Sequence, residues 1–315
     1  MASPTVTFGG VVLTDIVNLG EIVVSNLPRQ VNLQELPGRD GALLTSAPLS
    51  PLTIQMTATH LSTDPVERFN ALRELNAALT VRNSDWSKSG TVVRPLSCDQ
   101  WMVDTTFTWR GNDMVEHEKG GLEFVYVNAV AEGADLTRYV NAEAFPITFT
   151  VPEPYFYGPM YELPADPEVA YYDPDAWVQS WQLTYPGNID ALPIIEVETD
   201  EDINTLEYRI TIKTFSYSGE VVDHFVIEQE EWPTLGYGDH GYIDSSTQTA
   251  YVVDPGTRRR LTITPNIESD WPTIKPRIND GFWHNYWEVN VECKNLAINE
   301  TNMKPYSLKF QPRWC

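Results

Sequence analysis

The sequence has few cysteines and no long hydrophobic run, and each shortage excludes a class of protein. Its three cysteines, Cys98, Cys293 and Cys315, form no CxxC spacing, so we predict neither a disulfide framework nor a zinc site. No stretch approaches the roughly 18 apolar residues of a membrane span. The first ten residues, MASPTVTFGG, lack the basic and apolar regions of a signal peptide. We therefore predict a protein that is made in a cytoplasm and does not insert into a membrane.

Basic residues are also scarce. The 315 residues include 21 Lys and Arg against 44 Asp and Glu, which gives a formal net charge of -23. Proteins bind the phosphate backbone mainly through Lys and Arg, so the charge predicts no nucleic-acid recognition.

Sequence motifs of catalysis are missing too. The five histidines form no HExxH pair, and the GxSxG, Walker and GxGxxG patterns are absent. We predict no catalytic residue, no cofactor and no bound metal. A glycosidase needs two carboxylates across a cleft, but nothing distinguishes one pair of acids here, so an enzyme is the weakest alternative.

What the sequence does contain is alternation. Apolar and polar residues alternate in segments such as 52–56, 206–213 and 222–228, which Gly, Pro, Asn or Asp residues bound. This pattern predicts a mainly β protein, and the length predicts about two domains.

One segment, Asp64 to Leu79, has helical periodicity instead. Asp64 can cap the helix, and Pro65 suits the first helical position. Apolar residues then recur at steps of three and four, which predicts that this side, with Phe69 in it, packs on the sheet of the first domain. The apolar positions are Val66, Phe69, Leu72, Leu75 and Leu79.

Prolines and acids accumulate between residues 150 and 187, where a long regular element is unfavourable. We place the domain boundary there. The prediction is a domain over 1–158, an acidic proline-rich linker or insertion over 159–185, and a second domain over 186–315.

Four segments follow one another in an order typical of one protein family. They are LPRQVNLQELPGRDGALL at 27–44, strand and helix from 52 to 79, ITFTVPEPYFYG at 147–158, and YPGNIDALPIIEV at 185–197. Together they resemble the distal tail (Dit) proteins of long-tailed, non-contractile bacteriophages.

The resemblance implies an N-terminal β-barrel-like belt domain with one α-helix and a β-hairpin, followed by a galectin-like antiparallel β-sandwich. It implies a structural virion protein at the distal end of the tail. Six copies would form a ring, a tail-tip (baseplate hub) adaptor that joins the tail tube to the adsorption apparatus. The implied partners are the tail tube protein, the tail-tip hub protein, the tape-measure protein and receptor-binding proteins. The hairpin turn, which the resemblance assigns to the ring, consists of Pro37, Gly38, Arg39, Asp40 and Gly41.

A carbohydrate-binding β-sandwich on a virion or cell surface is the alternative function. Aromatic rings in loops or near strand starts can stack on sugar faces or pack at an interface. The candidates are Trp232, Tyr237, Trp283 and Trp287.

The acids of residues 120–208 add a last expectation. Seventeen acidic residues stand there against a single basic one, Arg138. Since like charges repel, we predict that ring contacts are apolar and aromatic. We also predict that a substantial share of these acids line the channel or the outer surface, and a plain solvated acidic surface is the other possibility.

Overall fold

The structure of the protein is a computed structural model with strands as its dominant element, which confirms the prediction of a mainly β fold. It describes residues 4–26, 32–35, 42–46, 51–80, 93–132, 135–165, 171–173, 176–199, 208–215, 221–229, 238–253, 260–263, 266–267, 271–274, 287–295 and 303–315.

In chain order the first strands are β1 Val6–Phe8, β2 Val11–Val12, β3 Val17–Asn26, β4 Asn32–Glu35, β5 Ala42–Ser46, β6 Leu52–His60, β7 Arg94–Asp104, β8 Phe107–Arg110, β9 Glu116–Lys119, β10 Leu122–Ala131, β11 Ala144–Val151, β12 Phe156–Tyr157 and β13 Tyr161–Pro164. The remaining strands are β14 Tyr171–Asp173, β15 Ala176–Leu183, β16 Ile194–Thr199, β17 Tyr208–Phe215, β18 Val221–Gln229, β19 His240–Asp244, β20 Thr249–Val253, β21 Arg260–Ile263, β22 Asn266–Ile267, β23 Trp287–Asn295, β24 Met303–Phe310 and β25 Arg313–Trp314. In the residues that the structure describes, the only α-helix is α1, Pro65–Leu79, and two 3-10 helices cover Leu13–Asp15 and Leu136–Tyr139.

The chain divides into two compact units. Unit 1 contains residues 1–103, 124–157 and Cys315, and unit 2 contains residues 104–123 and 158–314. The sequence analysis assigns residues 104–123 to the first domain, but they form the hairpin β8–β9. Because β8 pairs with β15 through Gln182↔Arg110 and Leu183↔Trp109, the hairpin belongs to unit 2.

The segment 159–185, which the sequence analysis treats as a linker, contains strands of unit 2. Its prolines lie at or outside the ends of β13, β14 and β15 and not within β15. On β15, Trp181 and Leu183 alternate with Gln182 and are fully buried, which is the pattern of an inward-facing strand.

Unit 1 is an antiparallel sheet with one helix packed against it. Its strands follow the open order β2-β1-β7-β10-β11-β6-β3, and β12 pairs with β10. Alternate side chains of β6 and β11 point into one core and are buried there. The helix α1 contributes Leu72, Leu75, Ala78 and Leu79 to the same core.

The helix begins as the sequence predicts. A carboxylate oxygen of Asp64 accepts a hydrogen bond from the Val66 amide at 2.7 Å, and Pro65 occupies the first turn. The position predicted for Phe69 is wrong, because its side chain is 43% exposed. The apolar periodicity continues through the first turns, but the sheet covers only the second half of the helix. No helix in the described part of the chain is long and apolar enough to cross a membrane.

This difference between the two halves of α1 can be tested. We expect Leu72→Ala to lower the free energy of unfolding by about 3–5 kcal/mol, because it leaves a cavity in the core. Phe69→Ala should cost less than about 1 kcal/mol, because its ring is already partly in water. Urea unfolding of both variants measures the difference, and equal losses would show that Phe69 is packed after all.

Unit 2 is a sandwich of two antiparallel sheets. One has the order β13-β24-β16-β19-β20-β21, and the other has the order β22-β18-β17-β23-β15-β8-β9 with β14 paired to β15. Both sheets contribute to one apolar core, with Ile195 and Leu308 from the first and Trp181 and Val289 from the second. The Trp181 indole N–H donates to the Pro164 carbonyl oxygen at 3.1 Å, so its polar atom is satisfied.

Candidate functional site

The residues singled out from the sequence fall mostly outside the described residues. This holds for Pro37 to Gly41 and for Trp232, Tyr237 and Trp283. The strands β4 and β5 on either side of the predicted turn pair antiparallel, through Gln34↔Leu43 and Glu35↔Ala42. Trp287 begins β23, but its side chain is not described. The roles of all these residues stay predictions.

Two of the histidines have structural partners. His60 Nε2 lies 3.0 Å from the Tyr139 carbonyl oxygen, and the ring of His117 stacks on Trp109 with the centroids 4.6 Å apart. Within the described ranges, no group of three or more His, Cys, Asp or Glu side chains could hold a metal ion.

The open edge of unit 1 is the feature that stands out. Strand β3 ends the order of the sheet and, among the strands described, pairs only with β6. A register shift between Leu19 and Ile22 interrupts the pairing, and the five residues from Ile22 to Asn26 follow it. Val23 and Val24 are 46% and 43% exposed. Sheet edges usually carry charges or prolines that prevent pairing with other chains, but this stretch has neither.

The sheet face beside this edge carries little charge, and the carboxylate that reaches it is that of Glu132, which accepts a hydrogen bond from Thr150 Oγ1 at 3.0 Å. Strands β6 and β11 contain no Asp, Glu, Lys or Arg, and β3 contains only Glu21. Cross-strand rows on the face away from the core join Val23 to Gln55 and Thr148, and Ser25 to Thr53 and Thr150. We call this surface, with the residues Ile22 to Asn26, the neutral edge.

A neutral edge has a specific consequence in a chain of charge -23. Two copies repel each other wherever acidic surfaces meet, and salt screens this repulsion only beyond about 8 Å. Residues Ile22 to Asn26 bring no like charges together at a contact, and their backbone groups that no described strand pairs can form hydrogen bonds with another strand. A sheet edge without charges can accept a strand of another chain.

Most acids from residues 120–208 that the structure describes are at least partly exposed, but Glu196 is buried. Its carboxylate accepts hydrogen bonds from Lys309 Nζ at 2.7 Å and Ser307 Oγ at 2.9 Å. His240 Nδ1 lies 2.9 Å from the other carboxylate oxygen. Glu196 is enclosed within its own unit.

The network shifts the pKa values of its members. Burial raises the pKa of Glu196, but hydrogen bonds from Lys309, Ser307 and Tyr242 outweigh burial, so the net pKa is lowered. Burial lowers the pKa of Lys309. The hydrogen bond to Glu196 and the negative charge of Glu196 raise this pKa by more than burial lowers it, so the net pKa is raised. Both groups are therefore charged at neutral pH, as a structural ion pair requires.

Comparison with known proteins identifies the fold. No family model and no curated protein matches this chain. The crystal structure of the Dit protein of phage SPP1 matches with a TM-score of 0.58 over 100% of this chain and 100% of that chain, at 13% sequence identity. The chain has the Dit fold. That protein is described as a paradigm of the hub adsorption apparatus in phages that infect Gram-positive bacteria.

Two structures of the phage p2 baseplate in its activated conformation, with Sr and with Ca, match with TM-scores of 0.46 and identities of 8% and 9%. They cover 98% and 99% of this chain and 98% of each of those chains. The Dit fold of this chain confirms what the four sequence segments indicate.

Sequence reasoning missed the neutral edge. Its signal was present as the uncharged run Ile22-Val-Val-Ser-Asn26 and as the absence of Asp, Glu, Lys and Arg from β6 and β11. The three strands β3, β6 and β11 are neighbours in the sheet, and β3 is the outermost of them. This order depends on pairing between distant segments, so only the structure shows it.

Proposed function

We propose that this protein is a structural virion protein, a hexameric tail-tip adaptor that joins the tail tube of a phage to its adsorption apparatus, and not an enzyme. The Dit fold over the full length of the chain is the observation that carries the proposal. The neutral edge supports it, because an acidic chain needs uncharged surfaces to form a ring. The tail tube and tail-tip hub proteins are its direct partners, with tape-measure and receptor-binding proteins as further ones.

The ring contact joins the neutral edge of one copy to a different surface of the next copy. A contact between two different surfaces continues from copy to copy and closes into a ring when the rotation allows, whereas a β3–β3 contact would stop at a dimer.

Negative-stain imaging and light scattering of the purified full chain test this proposal. We expect a six-fold ring with a central hole and a mass six times that of the 35.7 kDa chain. Replacing Val23 and Val24 together by lysine should give monomers, because charges on the edge oppose strand pairing.

The control for this variant is Val66→Lys, since Val66 is an exposed valine on α1 and not on a sheet edge. It should leave the ring intact. Absence of a ring in the unchanged protein would contradict the adaptor function, and a ring that survives both edge lysines would show that the contact lies elsewhere.

A further inference from the structure

The turn of the β8–β9 hairpin in unit 2 exposes two apolar side chains. Residues 111–115 connect β8 and β9, and Met114 and Val115 are 56% and 52% exposed. Met114 has a φ of 58°, in the left-handed region that glycine and asparagine adopt readily and methionine rarely does. The backbone conformation and the exposure are thus both unfavourable for a methionine.

The rest of the sandwich holds this turn in place. Asn112 Nδ2 donates to the Val178 carbonyl oxygen at 2.9 Å, and Asn112 Oδ1 accepts from the Ser180 amide at 2.8 Å. Asp113 Oδ1 accepts from the Val115 amide at 3.0 Å. Because these bonds fix the turn to β15, Met114 and Val115 are presented in a defined position.

A second left-handed residue provides a comparison. Gln248 has a φ of 52°, and it and Met114 are the only non-glycine residues of positive φ in the described ranges. Gln248 lies in the β19–β20 turn, where Asp244 Oδ1 accepts hydrogen bonds from the Ser246 and Thr247 amides. Its side chain is polar and exposed, as expected of a hairpin turn. The tight turn of a hairpin explains the left-handed backbone and the exposed polar side chain of Gln248. It does not explain why the β8–β9 turn exposes a methionine and a valine to water.

The chemistry of the tip indicates what it binds. Methionine and valine side chains have no hydrogen-bond donor, so they suit an apolar pocket and not a sugar. On this hairpin Arg110 pairs with Glu116 at 2.6 Å, Lys119 Nζ donates to the Glu162 carbonyl oxygen, and His117 Nε2 lies 3.8 Å from Asp113. The acids Asp113, Glu116 and Glu118 outnumber the cations Arg110 and Lys119 by one. A basic rim around the pocket would complement these acids. A second copy of this chain, with its charge of -23, is a poor match.

We propose that the β8–β9 tip is a docking point for a different protein, which receives Met114 and Val115 in an apolar pocket with a basic rim. The proposal rests on the proposed function in one respect, since it places that partner in the same phage particle. The backbone strain at Met114 persists because the methionine side chain binds the partner and does not stabilise the fold.

Site-specific cross-linking in particles of the phage or induced prophage that encodes the chain tests the docking. A photoreactive phenylalanine analogue replaces Met114 in one preparation and Gln248 in another, and mass spectrometry identifies the adducts. We expect position 114 alone to give an adduct with a second protein. No adduct, an adduct only with another copy of this chain, or equal adducts from both positions would overturn the proposal. If the chain itself is absent from the particles, the proposed function fails instead.

A pair of matched substitutions separates docking from folding. Asparagine adopts the left-handed region readily, so Met114→Asn and Gln248→Asn should both keep or raise the melting temperature. Only Met114→Asn should reduce the amount of the second protein per particle, by about tenfold, as expected for loss of an anchoring side chain. Particles of Met114→Asn with an unchanged amount of that protein would overturn the proposal.

Discussion

Replacing Lys309 by methionine is expected to lower the free energy of unfolding of unit 2 by about 3–5 kcal/mol, because the substitution leaves a buried carboxylate without its counter-ion. The Glu196 side chain is only 5% exposed and lies 2.7 Å from Lys309 Nζ. Ser307 and Tyr242 still donate to Glu196 in this variant, and His240 Nδ1 still lies 2.9 Å from its other oxygen, but none of them replaces the permanent charge of Lys309. Urea unfolding at pH 7 measures the loss.

The matched control is Lys304→Met on the same strand. Lys304 Nζ lies 3.6 Å from Glu198, whose side chain is 24% exposed, so this pair is in contact with water. Partly solvated pairs contribute little, and we expect a loss of less than about 1 kcal/mol. Equal losses in the two variants would mean that Glu196 does not depend on Lys309.

The contribution of the Glu196–Lys309 pair also depends on pH, and the sign follows from the pKa shifts. Since the pKa of Glu196 is lowered on folding, its contribution is present above the unfolded value and disappears as pH falls through the folded value. Since the pKa of Lys309 is raised, its contribution is present below the unfolded value and disappears as pH rises through the folded value. The difference between Lys309→Met and the unchanged protein should therefore be largest near neutral pH and shrink in acid.

Local features of the sequence predicted local structure well. The capping residue Asp64 and the proline after it fixed the start of α1, and the period of two indicated strands such as β6. Phe69 shows the limit of this reasoning, because its spacing fits the apolar side of the helix but no part of the sheet covers it. Periodicity gives the direction of a side chain and not the extent of the surface that it meets.

Features that depend on contacts between distant segments could not be predicted from the sequence. Glu196 meets Ser307 and Lys309 across 111 and 113 residues, and no pattern in the chain links them. The hairpin β8–β9 joins unit 2 because β8 pairs with β15, although unit 1 strands lie on both sides of it in the sequence. The neutral edge arises in the same way, from the neighbourhood of three strands and not from any one of them.

A single added methyl group, in Gly120→Ala, is expected to destabilise unit 2 by roughly 2–5 kcal/mol. Gly120 has a φ of 91°, and an alanine there pays about 1–2 kcal/mol for the left-handed conformation. The new Cβ would also overlap the carbonyl oxygen of Thr105 and lie 2.7 Å from its carbonyl carbon, which adds roughly 1–3 kcal/mol of overpacking. Thr105 cannot retreat easily, because its amide donates to the Gly121 carbonyl oxygen at 2.8 Å and its hydroxyl donates to the same oxygen at 3.0 Å.

Gly238→Ala separates the two costs in this prediction. Gly238 lies in the same unit with a φ of 78°, but a Cβ built there meets no atom of the described residues within 4 Å. This control should lose only the 1–2 kcal/mol or so of backbone strain. The excess loss in Gly120→Ala then measures how firmly the base of the β8–β9 hairpin is held against Thr105. If the two alanine variants unfold at the same urea concentration, the backbone at Thr105 yields to the methyl group, and the hairpin is not rigidly fixed at its base.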